Sequence, residues 1–178
     1  MSKRAAEQMN NNELLHQAAE ALELIPIEDI WGELVSHLGR TLNVDWTVAA
    51  KLLPGVDTKL ETLAASRRGH LVQEFEYDLT FAFDQSAQDA CVYACGAQTL
   101  VRSTWLKRVK AESFGQITLK GSLGQARGVL AIAHSEPLAD TSQIESILRI
   151  YAFKASIELE RELADERFYR EILEMLQT

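Results

Sequence analysis

The segment that decides the fold is GQITLKGSLGQARGVLAIAH, residues 115–134. Two runs rich in apolar and β-branched residues, Gly115–Lys120 and Arg127–His134, flank Gly121-Ser122-Leu123-Gly124-Gln125. Glycines in a short polar loop suit a tight reversal, so the segment predicts an antiparallel hairpin. The same glycines are not a phosphate-binding loop, because no lysine and no helix follow them. Upstream, Trp46–Leu53 and Lys59–Ser66 read as strands joined by Pro54-Gly55-Val56-Asp57, and Arg67-Arg68-Gly69-His70 supplies the next turn. Gln73–Leu79 then alternates, with Phe75, Tyr77 and Leu79 on one face and Glu74, Glu76 and Asp78 on the other.

Between the strand pairs lies Thr80–Ala111, the least regular stretch. It holds a short strand at Cys91-Val92-Tyr93 and a helix around Leu100, Val101, Trp105, Leu106 and Val109. A long insertion carrying several apolar residues predicts an ordered cover over the sheet.

Both ends read as helical. Leu14, Leu15, Ala18, Leu22 and Ile25 recur at helical spacing from Asn12, a capping residue, to a break at Pro26. Ile27, Ile30, Trp31, Leu34, Val35, Leu38 and Leu42 form the stripe of a second helix. After Asp140 or Thr141 as cap, Ile144, Ile147, Leu148, Tyr151, Ala155, Leu159 and Leu163 make a third stripe, extended by Phe168, Ile172, Leu173 and Leu176. Such a helix runs about 45 Å or more at 1.5 Å per residue and overhangs a domain this small. Its outer turns need an apolar partner, which a homodimer built as a helical bundle with the N-terminal helix would supply. The pairs Arg161/Asp165 and Glu166/Arg170 mark its outer part as a solvated face. The expected class is α+β, a central antiparallel sheet of about five or six strands with flanking N- and C-terminal helices. Residues 1–25 are then an N-terminal helix, 26–161 the domain, and 162–178 a connector and dimerisation helix.

A net charge of −8 argues against a nucleic-acid or anionic-membrane surface. The start, MSKRAAEQMNNNELL, has no apolar core of a signal peptide, and no uninterrupted apolar run is long enough to span a bilayer. The expected compartment is the cytoplasm. Cys91 and Cys95 are too few for a disulfide framework and read either as small buried residues or as a redox pair. His16, His37, His70 and His134 are dispersed, with no ligand partner at helical spacing, so no metal site is expected. Asp78, Asp84 and Asp89 read as solvated acids. Arg102 and Trp105 would suit an anionic or planar ligand, or else are a surface arginine and a core tryptophan.

Several stretches, taken in order, resemble a GAF domain of the bacterial signalling type. They are Glu76-Tyr77-Asp78-Leu79, Cys91-Val92-Tyr93, and Ser113 to Leu119 followed by Gly128-Val129-Leu130-Ala131-Ile132. Pro137-Leu138-Ala139-Asp140 and the run from Ile150 through Arg161 resemble the hairpin exit and closing helix. The resemblance covers about Ile27 to Arg161. It implies a GAF/PAS-like sheet and a small-molecule pocket under the cover. The implied pocket residues are Tyr77, Asp78, Thr80, Phe83, Cys91, Tyr93, Arg102, Trp105, Gln116 and Thr118. Domains that look like this bind cyclic nucleotides, tetrapyrroles, iron or small metabolites; no cofactor is singled out. They sit beside an effector domain, a histidine kinase or a cyclic-di-GMP enzyme, so the chain is either a free-standing module or a piece of a longer sensor. The resemblance thus implies a signalling sensor, not an enzyme. The alternatives are a cysteine-dependent methionine sulfoxide reductase of GAF type, or a ligand-free scaffold with its cavity filled by Phe81, Phe83 and Trp105. Two departures bear on the pocket. Thr80-Phe81-Ala82-Phe83-Asp84 replaces the family's Gly-Thr-Pro-Cys-like turn, and Gln116 and Thr118 stand where apolar residues or proline are common.

Overall fold

In a computed structural model of the chain, residues 3–25, 27–53, 60–73 and 89–177 are described, those at 3–11 and 27 by backbone alone. Helix α1 (Lys3–Glu23) and a single 3-10 turn (Ile27–Asp29) lead into α2 (Ile30–Leu42). Strands β1 (Trp46–Leu52), β2 (Leu60–Arg67), β3 (His70–Val72) and β4 (Ala90–Tyr93) follow. Two short helices, α3 (Ala97–Leu100) and α4 (Thr104–Arg108), precede β5 (Ser113–Lys120), β6 (Ala126–His134) and α5 (Thr141–Leu176). The strands form one six-stranded antiparallel sheet in the order β3-β2-β1-β6-β5-β4. The expected α+β architecture is therefore found. No helix among the described residues is long and apolar enough to cross a membrane.

Local chemistry sets the element ends. Asp29 accepts a hydrogen bond from the Gly32 N–H at 3.3 Å and so caps α2, which ends on Asn43 in the left-handed region. Asp140 does the same for α5, 2.9 Å from the Gln143 N–H. Arg68 and Gly69 have φ of 49° and 76°, the two consecutive left-handed residues that a two-residue hairpin between β2 and β3 requires. At Gly128 a Cβ would lie 2.3 Å from the Ala50 carbonyl oxygen, so only glycine lets β6 approach β1 this closely.

One face of the sheet carries the main core. Ala49, Ile117, Leu119, Leu130 and Ile132 pack against Leu34, Val35 and Leu38 of α2 and Ile147, Leu148, Tyr151 and Leu159 of α5. Helix α1 closes this layer from outside, burying Ala18 and Leu22 in the same core. Polar ties fix the helices. The hydroxyls of Thr47 and Ser66 both donate to the Val35 carbonyl, at 2.6 and 3.1 Å. Tyr151 hydrogen-bonds His37, and its hydroxyl lies 3.0 Å from that of Thr41. On the other face, Val48, Ala50, Ala65, Phe114, Val129, Ala131 and Ala133 lie under α3 and α4, which contribute Ala97, Val101, Trp105 and Leu106.

Four details depart from the sequence reading. Helix α1 already runs at Lys3, so Asn12 lies inside it rather than at its start. The strand after the Arg67–His70 turn begins at His70; residues 74–79 of the alternating run, and the Pro54–Asp57 reversal, lie outside the described residues. The single helix expected around Leu100–Val109 is two: Val101 is extended and Ser103 caps a new start by accepting from the Leu106 N–H. The acidic run of α5 is not simply solvated either. Glu158 is 6% exposed and held by Lys154 and Arg161 at 3.2 and 2.9 Å. Glu162 accepts from the Trp31 indole at 2.7 Å, and Glu166 pairs with Lys51 at 3.0 Å. These acids lash the helix to the domain. Beyond Leu163, Phe168, Leu173 and Leu176 are exposed, so the expected overhang is present.

Candidate functional site

The strand register arranges the outer face in rows. One row runs Ala65, Val48, Ala131, Gln116, Cys91, and the next Thr62, Ala50, Val129, Thr118. Small apolar side chains thus floor the middle of this face, and polar ones bound it on β4 and β5. A third row, Arg67, Trp46, Ala133, Phe114, Tyr93, closes one end. There Trp105 stands edge-on to Trp46, with centroids 6.4 Å apart, and the Arg67 guanidinium lies 5.5 Å from the centre of the Trp46 ring. Arg127, two residues before Val129, continues the face at its other end. Its Nε is buried with no hydrogen-bond partner among the described residues, an unusual state for a polar atom.

The predicted pocket residues therefore separate. Cys91, Tyr93, Gln116 and Thr118 share this face, and Gln116 is only 5% exposed. Trp105 is 1% exposed and belongs to the core. Arg102 is solvent-exposed between α3 and α4. Tyr77, Asp78, Thr80 and Phe83 lie outside the described residues, as do Phe81 and the altered turn. Arg127 was not singled out by the sequence, although its alternation with Val129, Ala131 and Ala133 assigns it to the same face.

The thiols differ. Burial pushes Cys91 above its ordinary pKa, with a Gln116 backbone hydrogen bond pulling the other way, whereas Cys95 is exposed. Tyr93 is also raised, by burial and by its closeness to Cys91. A half-buried thiol held above its ordinary pKa is a poor nucleophile. No group of three or more metal-ligating side chains occurs among the described residues.

A second cluster surrounds Asp45 at the α2–β1 junction. Burial alone would raise its pKa, but hydrogen bonds from the Ser135 hydroxyl (2.6 Å) and backbone (2.9 Å), from Arg68 (3.0 Å), and nearby His134 bring it down to about 2. Serine, histidine and aspartate are hydrolase residue types, yet this is not a nucleophilic triad. The Ser135 hydroxyl donates to the carboxylate, and His134 Nδ1 accepts from the Asp45 N–H at 3.2 Å. A serine so engaged has no base to take its proton. Asp45 instead ties the α2–β1 junction to the β2–β3 turn and to the exit of β6.

A third feature is a groove of about 620 Å³ between the β5 edge and α5. Ile117, Ala152, Phe153, Ile157 and Ala164 give it an apolar wall. Its rim is polar and internally paired: Lys120 to Asp89 at 2.5 Å, and the Ser122 N–H to Glu160 at 2.8 Å. No protein-family model matches the chain, and a search of curated proteins finds no match.

Proposed function

We propose that this chain is a regulatory binding module of GAF type that holds a small molecule on the outer face of its sheet and works as a homodimer through its terminal helices. The observation that carries this reading is the floor of Ala50, Ala65, Val48, Val129 and Ala131 bounded by buried Gln116 and by half-buried Cys91 and Thr118. An apolar surface with a few convergent polar groups is how small-molecule sites are usually built. The buried Arg127 Nε favours a ligand that offers an acceptor. The module acts on an effector domain or a partner kinase or cyclic-di-GMP enzyme in the bacterial cytoplasm, and it has no catalytic role of its own. The raised pKa of Cys91 weighs against the sulfoxide reductase reading.

Native mass spectrometry of the freshly purified chain tests this. A retained small molecule that is lost in Gln116→Leu, with the fold intact by circular dichroism, is the expected result. Protein of bare mass with no thermal shift across a metabolite panel would sink the sensor in favour of the scaffold. Turnover of a methionine sulfoxide that disappears in Cys91→Ser would replace it with the enzyme.

A further inference from the structure

The helices that cover the outer face carry charge that the fold does not use. Arg102, Lys107, Arg108 and Lys110 are all exposed, on α4 and on the turns at its two ends. No aspartate or glutamate occurs between Asp89 and Glu112, and the Glu112 carboxylate is turned back onto the Gly96 N–H at 2.9 Å. None of the four cations is in an ion pair among the described residues, whereas Lys51, Lys120, Arg149, Lys154 and Arg161 each are. Val101, Trp105 and Leu106 are buried against the sheet, so the cations are what this segment presents to water. Leu100, two residues before Arg102, is 59% exposed and adds an apolar spot to the patch. Cations in a last helical turn offset the helix dipole, which accounts for Lys107 and Arg108. It does not account for Arg102, ahead of the helix, or for Leu100. Lys110 occupies a left-handed position, with φ of 54°, that glycine would take at lower cost.

We infer that this solvent side of α3 and α4 is a docking surface for an acidic segment of a partner protein. Basic clusters are a recurring way of holding acidic motifs. Helix α4 is about 7.5 Å long, so the four charges act together on one short stretch of chain. Net charge decides among the polyanions. The chain carries −8 although this patch is basic, so the surface outside it is acidic overall. A nucleic acid or an anionic bilayer extends past a patch this small and meets that repulsion. A short acidic segment ends inside the patch, and one apolar residue within it would cover Leu100. The surface lies outside the cover, so the inference goes beyond the proposed ligand site and stands whether or not a small molecule binds there.

Fluorescence anisotropy with the full chain at low salt tests it, using a fluorescein-labelled peptide of glutamates with two leucines as the probe and circular dichroism as the folding check. Lys107→Glu is expected to weaken binding about 10-fold, because an exposed attraction becomes a repulsion of similar size. Arg170→Glu makes the same change in net charge at an exposed position of α5. It is expected to stay within about 2-fold of the parent, since its charge is remote from the patch. Leu100→Ser is expected to cost about 3-fold, a loss that a purely electrostatic association would not show. Absence of binding at high micromolar protein overturns the inference, as do equal losses in Lys107→Glu and Arg170→Glu or an unaffected Leu100→Ser. Phosphatidylserine vesicles or a single-stranded RNA that bind more tightly than the peptide, and lose that binding in Lys107→Glu, would replace the protein partner with a membrane or a nucleic acid.

Discussion

The face of the sheet under α2 and α5 and the face under the short helices α3 and α4 are made by the same strands, yet they are filled differently. Toward the long helices, Ile117, Leu119, Leu130 and Ile132 interlock with leucines of α2 and α5 that are wholly buried. Away from them, the central positions are Ala50, Ala65, Ala131 and Ala133, with valines at 48 and 129. Each missing methylene forgoes about 0.8 kcal/mol of burial, so the alanine face contributes less to holding the fold. These residues are nonetheless almost wholly buried under α3 and α4, so the two faces differ in side-chain size and not in exposure.

The largest effect that could break this contrast lies in the helix-side core. Leu148→Ala, at a fully buried position, is expected to cost about 3 kcal/mol in urea unfolding, within the usual span for buried leucines. A loss below about 1 kcal/mol would show that this face is not where stability resides. A matched pair of enlargements sharpens the point. Ala49→Leu faces α2 and α5 and is expected to cost about 2–3 kcal/mol through overpacking, while Ala131→Leu on the outer face costs under about 1 kcal/mol. Equal costs would mean the outer face is as tightly filled as the inner one.

A further effect belongs to neither face but to the junction that aligns them. Folding lowers the Asp45 pKa from 3.8 to about 2. Its stabilisation is therefore complete above the unfolded value, declines as pH falls from about 4 to about 2, and vanishes below that. Asp45→Asn is expected to lose about 1–2 kcal/mol near neutral pH, less than full linkage because Arg68 is largely solvated. The gap to the parent should close in acid. A difference that persists below pH 2 would assign the loss to the changed hydrogen bonds and not to the charge.

Local periodicity carries much of this in the sequence. The stripe from Ile30 to Leu42, the 115–134 hairpin and the α5 stripe from Ile144 to Leu163 are each decided by residues within a few turns of one another, and the fold places them as read. The site is different, because its content is long-range pairing. That Cys91, Gln116 and Ala131 stand side by side follows from strand register, which no local spacing reveals. Asp45 meets Ser135 across ninety positions of sequence. The break at Arg102 escaped because Val101 and Trp105 keep helical spacing through it, while the Ser103 cap that restarts the helix is a single residue. Trp105 combined a ligand-like residue type with core spacing, and packing against Trp46 decided for the core.

Helix α5 also fixes an angle. Because a helix turns by about 100° with each residue, the direction in which Phe168 and Met175 point is set by counting back to Leu148 and Tyr151 in the core. Adding one residue near Ala164 would swing the far end through more than a quarter turn without disturbing a single core contact. Adding eleven would return it to within about 20° of its starting azimuth, three turns further out. The outer part of this protein is thus a dial whose settings come in steps, and the length of the chain between Leu163 and Met175 is its only adjustment.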